Sequence, residues 1–319
     1  MVNMPNKGDH PIEIGNYYIC TKQIRDLYSV ILGWINNRSP GGIIYGRPRL
    51  GKTRAVGFIK NSLEKEFGEN LPIFIIYCCQ HNRPNENRFY TEILRDIGHN
   101  AYDKGKAEAK KVRIIKYFIE RAQYSGTNKV ILFIDEAQML FEQEYNWLID
   151  IYNQLDRYFI DMVVILVGQE ELLYQKSAFI KLRKMQIIGR FMVHEYKFSG
   201  IKSINELEVC LESYDIYSEY PVGSGWSYTK YFFSEAYIEG KRLKDDAELI
   251  YSLFENSLKE ANLKRSLEIP MQYLTSTIDY CMTTFGINGK ERYWPTTQDW
   301  KNSIKNSGYT KAEMYNSMF

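Results

Sequence analysis

Several features that would assign a protein to a class at once are missing from this 319-residue chain. It has no run of about 18 apolar residues, and residues 1–16 lack an apolar signal core, so we expect a soluble, cytoplasmic protein with no membrane contact. The five cysteines show neither a C-x-x-C pair nor zinc-ligand spacing, which suits a reducing compartment. The 41 Lys and Arg residues nearly balance the 39 Asp and Glu residues, so any case for nucleic acid binding must come from local clusters.

The apolar residues that are present follow two alternating patterns. Short continuous runs at residues 43–45, 72–79, 129–134 and 162–167 are typical of strands buried on both faces of a parallel sheet. Residues 19–36 and 54–67 carry apolar residues at helical spacing, and we also predict helices at about residues 89–97 and 112–122. This alternation predicts an α/β fold over residues 17–200, in which a parallel sheet is the middle of three layers.

The residue composition and pattern of the chain differ on either side of this domain. Residues 1–16 are polar and rich in turn formers, and we predict a flexible leader there. Residues 201–287 predict a smaller, mostly helical, lid-like region with a Tyr/Gly-rich insertion at residues 214–241. Residues 288–319 form a C-terminal tail with tryptophans but no long periodic pattern, and we favour a packed aromatic terminus over a partner-docking segment.

A glycine-rich loop follows the first predicted strand and precedes a predicted helix. It reads G-R-P-R-L-G-K-T from residue 46 to residue 53 and fits the phosphate-binding pattern G-x-x-x-x-G-K-[ST]. Backbone N–H groups in such a loop form an anion nest at a helix N-terminus, where the helix dipole also favours phosphate. The sequence therefore predicts ATP as a ligand, with contacts from Gly46, Arg47, Pro48, Arg49, Leu50, Gly51, Lys52, Thr53 and Arg54.

Two carboxylates end the strand predicted at residues 129–134. Burying Asp135 at a strand end is costly unless a cation or hydrogen bonds compensate it, so we predict that Asp135 and Thr53 hold Mg²⁺. Glu136 is then placed to polarise the attacking water as a general base, although a solvated strand-end charge is the alternative. Gln169 follows the next strand, where it can position water or sense phosphate loss, or act as an ordinary polar cap.

Two basic features complete the candidate site. Arg190 lies between apolar residues, an arrangement that can place a guanidinium at a subunit boundary to reach a neighbour's γ-phosphate; a surface salt bridge is the alternative. Residues 103–121 contain seven basic side chains against three acidic ones. Such a basic face suits DNA phosphates, but a charge-rich helix is also common as a plain solvated face.

Four motifs in this order resemble the AAA+ ATPases of the TnsC/TniB group, which regulate DNA transposition. They are the phosphate loop, I-D-E-A-Q at residues 134–138, V-G-Q-E-E-L at residues 167–172 and G-R-F at residues 189–191. The resemblance covers about residues 20–200. More distantly, the chain is similar to the IstB and MuB transposition ATPases and to origin-recognition initiators.

The resemblance implies a function and residue roles. In that family, ATP-bound subunits polymerise on double-stranded DNA, link a target-selection protein to the transposase and disassemble on hydrolysis. It implies that this chain forms an ATP-dependent homo-oligomer, a filament or a ring. It places Glu136, Gln169 and Arg190 at the base, first-sensor and trans-acting arginine positions. Its DNA-contacting segment corresponds here to Arg83, Arg88, Lys104 and Lys106.

One element of the family pattern is missing, and two other functions stay open. No clear second-sensor arginine follows residue 200, and Lys264–Arg265 is the nearest basic pair. A helicase loader or replication initiator would share the nucleotide chemistry but deliver a helicase. A P-loop signalling or defence switch would bind ATP and act through partners with little turnover.

Overall fold

The computed structural model describes residues 8–317, which divide into two compact units. The sheet unit comprises residues 26–48 and 52–198. The helical unit comprises residues 8–25, 49–51 and 199–317 of the described chain. No helix among residues 8–317 has the length and apolar character needed to cross a membrane.

Five strands build the sheet. They are β1 (Gly41–Tyr45), β2 (Ile73–Tyr77), β3 (Lys129–Asp135), β4 (Asp161–Gly168) and β5 (His194–Lys197). All pair in parallel, in the order β2-β3-β4-β1-β5. The interior strands β3 and β4 are apolar and buried along almost their whole length, as is typical of a parallel sheet covered on both faces. The predicted α/β fold with a parallel sheet is confirmed.

Fifteen α-helices accompany the sheet in the described residues. In chain order they are α1 (Pro11–Ile14), α2 (Lys22–Asn36), α3 (Lys52–Phe67), α4 (Glu86–Asp96), α5 (Ala107–Ser125), α6 (Glu142–Asp156), α7 (Glu171–Lys181), α8 (Met185–Phe191), α9 (Ile204–Glu212), α10 (Tyr228–Phe232), α11 (Ser234–Ile238), α12 (Ala247–Glu260), α13 (Met271–Phe285), α14 (Thr297–Ser307) and α15 (Tyr309–Asn316). Helices α6, α7 and α8 and strand β5 add to the elements that the sequence predicts for the sheet unit.

The helical unit has its own core, formed by helices α9 to α15 and the residues before α2. Within the Tyr/Gly-rich stretch the chain forms a π-helical turn, Ser213–Tyr217, and then α10 and α11. Asp215 in that turn is fully buried, and its carboxylate accepts the backbone N–H groups of Leu243 and Lys244 at 2.9 and 3.0 Å. The stretch is therefore a packed part of the unit.

The N-terminal residues differ in part from the predicted flexible leader. Residues 1–7 lie outside the described part of the chain, but residues 8–16 contain helix α1. The ring of His10 is buried, and its Nδ1 atom accepts the backbone N–H of Ile12 at 3.1 Å. Its centroid lies 4.4–4.8 Å from those of four aromatic rings, which belong to Tyr220, Tyr228, Tyr231 and Phe232. These contacts hold residues 8–16 in the helical unit.

The C-terminal tail is also packed. Helix α14 begins with a capping box in which Thr296 and Asp299 satisfy each other's backbone N–H groups. The indole N–H groups of Trp294 and Trp300 both donate to Oδ2 of Asp246, at 3.0 and 3.1 Å. Tyr309 at the start of α15 is fully buried. The aromatic residues of the tail thus contribute to the core of the helical unit.

Candidate active site

The strand order brings three predicted site elements to one edge of the sheet. The glycine-rich loop leaves β1, Asp135 ends β3, and Gln169 follows β4, which lies between the other two strands. Because the strands are parallel, their carboxyl ends meet at the same edge, where ligands bind in open α/β sheets. The strand order therefore places the glycine-rich loop, Asp135 and Gln169 at one edge of the sheet, and their roles there stay predictions.

The loop is shaped around Lys52, the first residue of α3. The Lys52 side chain is buried, and its ammonium donates to the carbonyls of Gly46 and Arg47, both at 2.8 Å. A lysine ammonium has three N–H donors, so one remains for an anion. Burial lowers the pKa of Lys52, while the carboxylates of Glu136 and Asp135 oppose that shift. The cation thus lies between the loop and the acidic end of β3.

The other loop residues form the backbone that surrounds this lysine. Arg49 and Gly51 have positive φ angles of 66° and 96°, which turn the loop in the way that anion nests require. Leu50 is buried, whereas Pro48, Arg49, Thr53 and Arg54 are exposed and Arg47 is half-buried. The groups that the loop offers to a nucleotide are therefore mainly its backbone and the side chains of Lys52 and Thr53.

Thr53 and Asp135 present oxygen atoms to one point. The Thr53 hydroxyl donates to Oδ2 of Asp135 at 2.6 Å, and the backbone N–H of Glu136 donates to Oδ1 at 3.0 Å. Asp135 is only 3% exposed, and burial raises its pKa, against the effect of these two hydrogen bonds. A hydroxyl beside a buried carboxylate is the hard oxygen pair that Mg²⁺ prefers, and a cation here would offset the burial of the charge. These residues fit the predicted metal.

Glu136 occupies an unusual backbone conformation next to this pair. Its φ and ψ angles of 53° and 36° are left-handed, a strain that residues other than glycine adopt only where the surroundings impose it. Oε2 of Glu136 accepts the side-chain amide of Gln138 at 2.5 Å, and Oε1 of Gln138 accepts the backbone N–H of Gln169 at 3.2 Å. Gln138 is part of the sequence motif, but its contacts with Glu136 and Gln169 could be identified only from the structure.

Arg190 lies on α8 and contacts α6. Its guanidinium donates to Oδ1 of Asn153 at 3.0 Å and stands 5.5 Å above the ring of Tyr152. A second N–H points to the carbonyl of Gln186 at 3.5 Å. The neutral partner Asn153 holds the guanidinium without neutralising its charge, so the surface salt bridge considered from sequence is not what the structure shows.

The predicted DNA-contacting residues fall into two groups. Arg88 donates to the carbonyl of Arg83 at 2.8 Å and lies 4.0 Å from the carboxylate of Glu92, which offsets its charge. Lys104 and Lys106, in contrast, are exposed and have no carboxylate partner within residues 8–317.

Helix α5 continues this basic surface. Of its charged residues, Lys110 is buried against Thr91, and Lys111 pairs with Glu108 at 2.9 Å. Arg113 donates to the carbonyls of Ala101 and Lys104 and, with Lys116 and the rings of His99 and Tyr117, lines an open cavity of about 310 Å³. The exposed lysines of this surface are therefore Lys104, Lys106 and Lys116, and the carboxylate of Glu120 lines the same cavity.

Comparison with protein families finds a match within the sheet unit. Residues 37–175, from the turn before β1 into α7, match the family model described as an AAA domain. The match covers less than half of the chain and shows that these residues are similar to that family. Strands β1 to β4, the phosphate loop and the acidic end of β3 lie within the matched residues, whereas β5 lies beyond them. The chain is an ATPase.

Comparison with solved structures finds a similar fold over most of the chain. The chain is similar to the ORC2 protein of Aeropyrum pernix in its ADPNP–ADP complexes, with 15% identity and a TM-score of 0.59, over 94% of this chain and 72% of that one. It also matches domain III of the replication initiation protein DnaA from Thermotoga maritima, with 15% identity, a TM-score of 0.48, and 92% and 95% coverage. Curated protein sequences give no match to the chain.

Proposed function

We propose that the AAA domain binds ATP with Mg²⁺ and hydrolyses it at the edge formed by β1, β3 and β4. The observation that carries the proposal is the meeting of Thr53, Asp135 and Glu136 beside the buried Lys52. The loop N–H groups and Lys52 bind the phosphates. Thr53 and Asp135 would hold the metal ion, which would neutralise phosphate charge when bound. Glu136 accepts the proton of the attacking water.

Gln169 and Arg190 have different parts in this proposal. Gln169 directly follows β4, between the phosphate loop and Asp135 in the strand order, where its amide can contact the γ-phosphate or the water. Arg190 is held on the face of α6 and α8 by a neutral partner, so its charge stays available to the site of a second subunit. Hydrolysis is then a property of an assembly of copies of this chain.

We further propose that this assembly forms on duplex DNA and controls transposition, linking a target-selection protein to a transposase. The motif order from the phosphate loop to residues 189–191 supports this role. The exposed Arg83, Lys104 and Lys106 support contact with DNA phosphates, whereas Arg88, which lies beside Glu92, has a secondary role in it.

A replication initiator or helicase loader is the second candidate. The fold similarity to the ORC2 protein over 94% of this chain favours it. The two candidates share ATP hydrolysis and DNA binding and differ in the protein that receives the DNA complex. Adding a transposase or a replicative helicase to the DNA-bound protein with ATP, and measuring which one is retained, distinguishes them. Retention of neither, with slow hydrolysis that DNA does not stimulate, would favour the signalling switch.

DNA binding is tested by its dependence on salt. Binding to duplex DNA should require ATP, and log affinity should fall with log salt by about 0.9 for each phosphate contacted. Replacing Lys104 and Lys106 together by Ala should reduce that slope by about 1 to 2 and leave ATP affinity unchanged. A matched control replaces Lys301 and Lys305, exposed on α14, and removes the same charge elsewhere. Equal slopes for the two double variants would show that the DNA surface lies elsewhere.

A further inference from the structure

The side chain of Gln138 joins two parts of the active site that are separate in sequence. It lies in the short 3₁₀ turn Ala137–Met139 directly after Glu136. Its Nε2 group donates to Oε2 of Glu136 at 2.5 Å, and its Oε1 atom accepts the N–H of Gln169 at 3.2 Å. Since a backbone N–H can only donate and a carboxylate can only accept, these partners determine which end of the amide faces each of them.

This bridge determines where the carboxylate of Glu136 points. Gln138 engages Oε2, whereas Oε1 of Glu136 has no hydrogen-bond partner within residues 8–317. One oxygen atom is therefore held by the protein, and the other is available for the proton of a water molecule. A group held by one hydrogen bond in a partly buried site loses rotamer freedom before the reaction, which is how such neighbours aid catalysis.

The end of β4 is built to receive the Gln138 side chain. A Cβ atom on Gly168 would lie 2.2 Å from Oε1 of Gln138, and also 2.8 Å from Cδ1 of Leu172. No side chain at residue 168 is compatible with the observed position of Gln138. The glycine and the glutamine thus fit each other, and a displacement of the backbone at residues 168–169 would displace the Gln138 amide as well.

We propose that Gln138 is a positioning residue that couples the orientation of Glu136 to the backbone at the end of β4. The inference rests on the proposed role of Glu136 as the base. Gln169 is placed to contact the γ-phosphate, so a movement of its backbone on phosphate binding or loss passes through Gln138 to the base. The bridge makes the readiness of Glu136 depend on the state of the nucleotide.

The test uses Gln138→Met, which keeps the length of the side chain and removes both hydrogen bonds. We expect kcat for ATP hydrolysis to fall about 10- to 100-fold, the range seen when a hydrogen-bonded neighbour of a functional group is removed. KM and the directly measured ATP affinity should stay unchanged, because the two hydrogen bonds of the Gln138 side chain go to Glu136 and Gln169 and not to the loop. Gln138→Ala should give the same loss, which separates hydrogen bonding from packing. ATP affinity also serves as the check that both variants are folded.

A double-mutant comparison decides whether Gln138 acts through Glu136. In the Glu136→Gln background the base is absent, so adding Gln138→Met should cost no further activity. A second full loss in that background, or wild-type kcat for both single variants at position 138, overturns the inference. A different result would contradict the proposed function itself, namely undiminished turnover in the Glu136→Gln variant. Gly168→Ala displaces the Gln138 amide, so its loss of kcat should resemble that of Gln138→Met. In the double variant the loss of kcat should be smaller than the product of the two single losses.

Discussion

Asp279 allows a quantitative test of the helical unit. It lies on α13, and its Oδ1 atom accepts the hydroxyl of Tyr17 at 2.5 Å, while Tyr17 also contacts the hydroxyl of Tyr214 at 3.0 Å. Burial raises the pKa of Asp279 to about 7, although the hydrogen bond from Tyr17 opposes the shift. The perturbation is Asp279→Asn, which keeps an acceptor for Tyr17 but cannot ionise.

The sign and the size of the effect follow from this pKa. In the unfolded chain Asp279 ionises near pH 3.9, so between pH 4 and 7 the folded state holds a proton that the unfolded state has released. The free energy of unfolding therefore falls as pH rises through this window and is constant above pH 7. The gap in pKa corresponds to about 4 kcal/mol, at about 1.4 kcal/mol for each pKa unit. Asp279→Asn removes this loss, so relative to the wild type it becomes more stable as pH rises from 4 to 8.

The assay is urea unfolding of both proteins at several pH values, followed by circular dichroism and analysed as the difference between variant and wild type. The difference matters because His10 contributes the opposite pH dependence in the same window. Asp103→Asn, at an exposed position, is the control and should show a constant difference. Tyr17→Phe, which removes the opposing hydrogen bond, should enlarge the pH dependence. A pH-independent difference for Asp279→Asn would refute the buried, protonated state of Asp279.

Three further predictions concern the two units. Lys52→Ala should abolish ATP binding, whereas Glu136→Gln should bind ATP and hydrolyse it about 10²- to 10⁴-fold more slowly, as measured by nucleotide affinity and steady-state turnover. Arg190→Ala should bind ATP but turn over poorly, and mixing it with Glu136→Gln should restore activity through interfaces that pair an intact base with an intact arginine; a mixture without recovery would exclude a role in trans. Burial lowers the pKa of His10 to about 4, so the unfolded state takes up a proton first as pH falls from 6.5 and the helical unit loses up to about 3 kcal/mol. His10→Phe should remove most of this acid sensitivity in unfolding experiments. If the free energy of unfolding of the variant falls at acid pH as much as that of the wild type, His10 is not the source of the sensitivity.

The sheet and the phosphate loop could be predicted from sequence because their signals are local. A continuous apolar run at residues 129–134 predicts a strand buried on both faces, and a glycine loop between strand and helix predicts a phosphate site. Strand β5 gave no such signal, since it has four residues, His194–Lys197, that are exposed or half-buried at the edge of the sheet. Helix α14 does have a local sequence signal, since the Thr296–Asp299 capping box is visible in the sequence as T-x-x-D.

The remaining features depend on contacts between distant residues. His10 packs against aromatic rings that are more than 200 residues away in sequence, so a polar, proline-containing segment looked like a leader. Gln138 reaches Gln169 only because β3 and β4 are neighbours and because Glu136 adopts a left-handed conformation. Neither strand order nor backbone conformation can be read from residue spacing alone.

The placement of the two indoles on Asp246 limits how the protein can be shortened or tagged. A chain that stops before Trp294 would leave the Asp246 carboxylate, whose pKa is already raised by burial, without the two donors that make its position tolerable. It would also uncover Phe254 and Tyr273, whose rings pack against Tyr309. Proteolysis that passes Trp300 from the C-terminal side therefore removes part of the core of the helical unit. An engineered variant therefore has to keep helices α14 and α15, because their buried residues belong to the core of the helical unit.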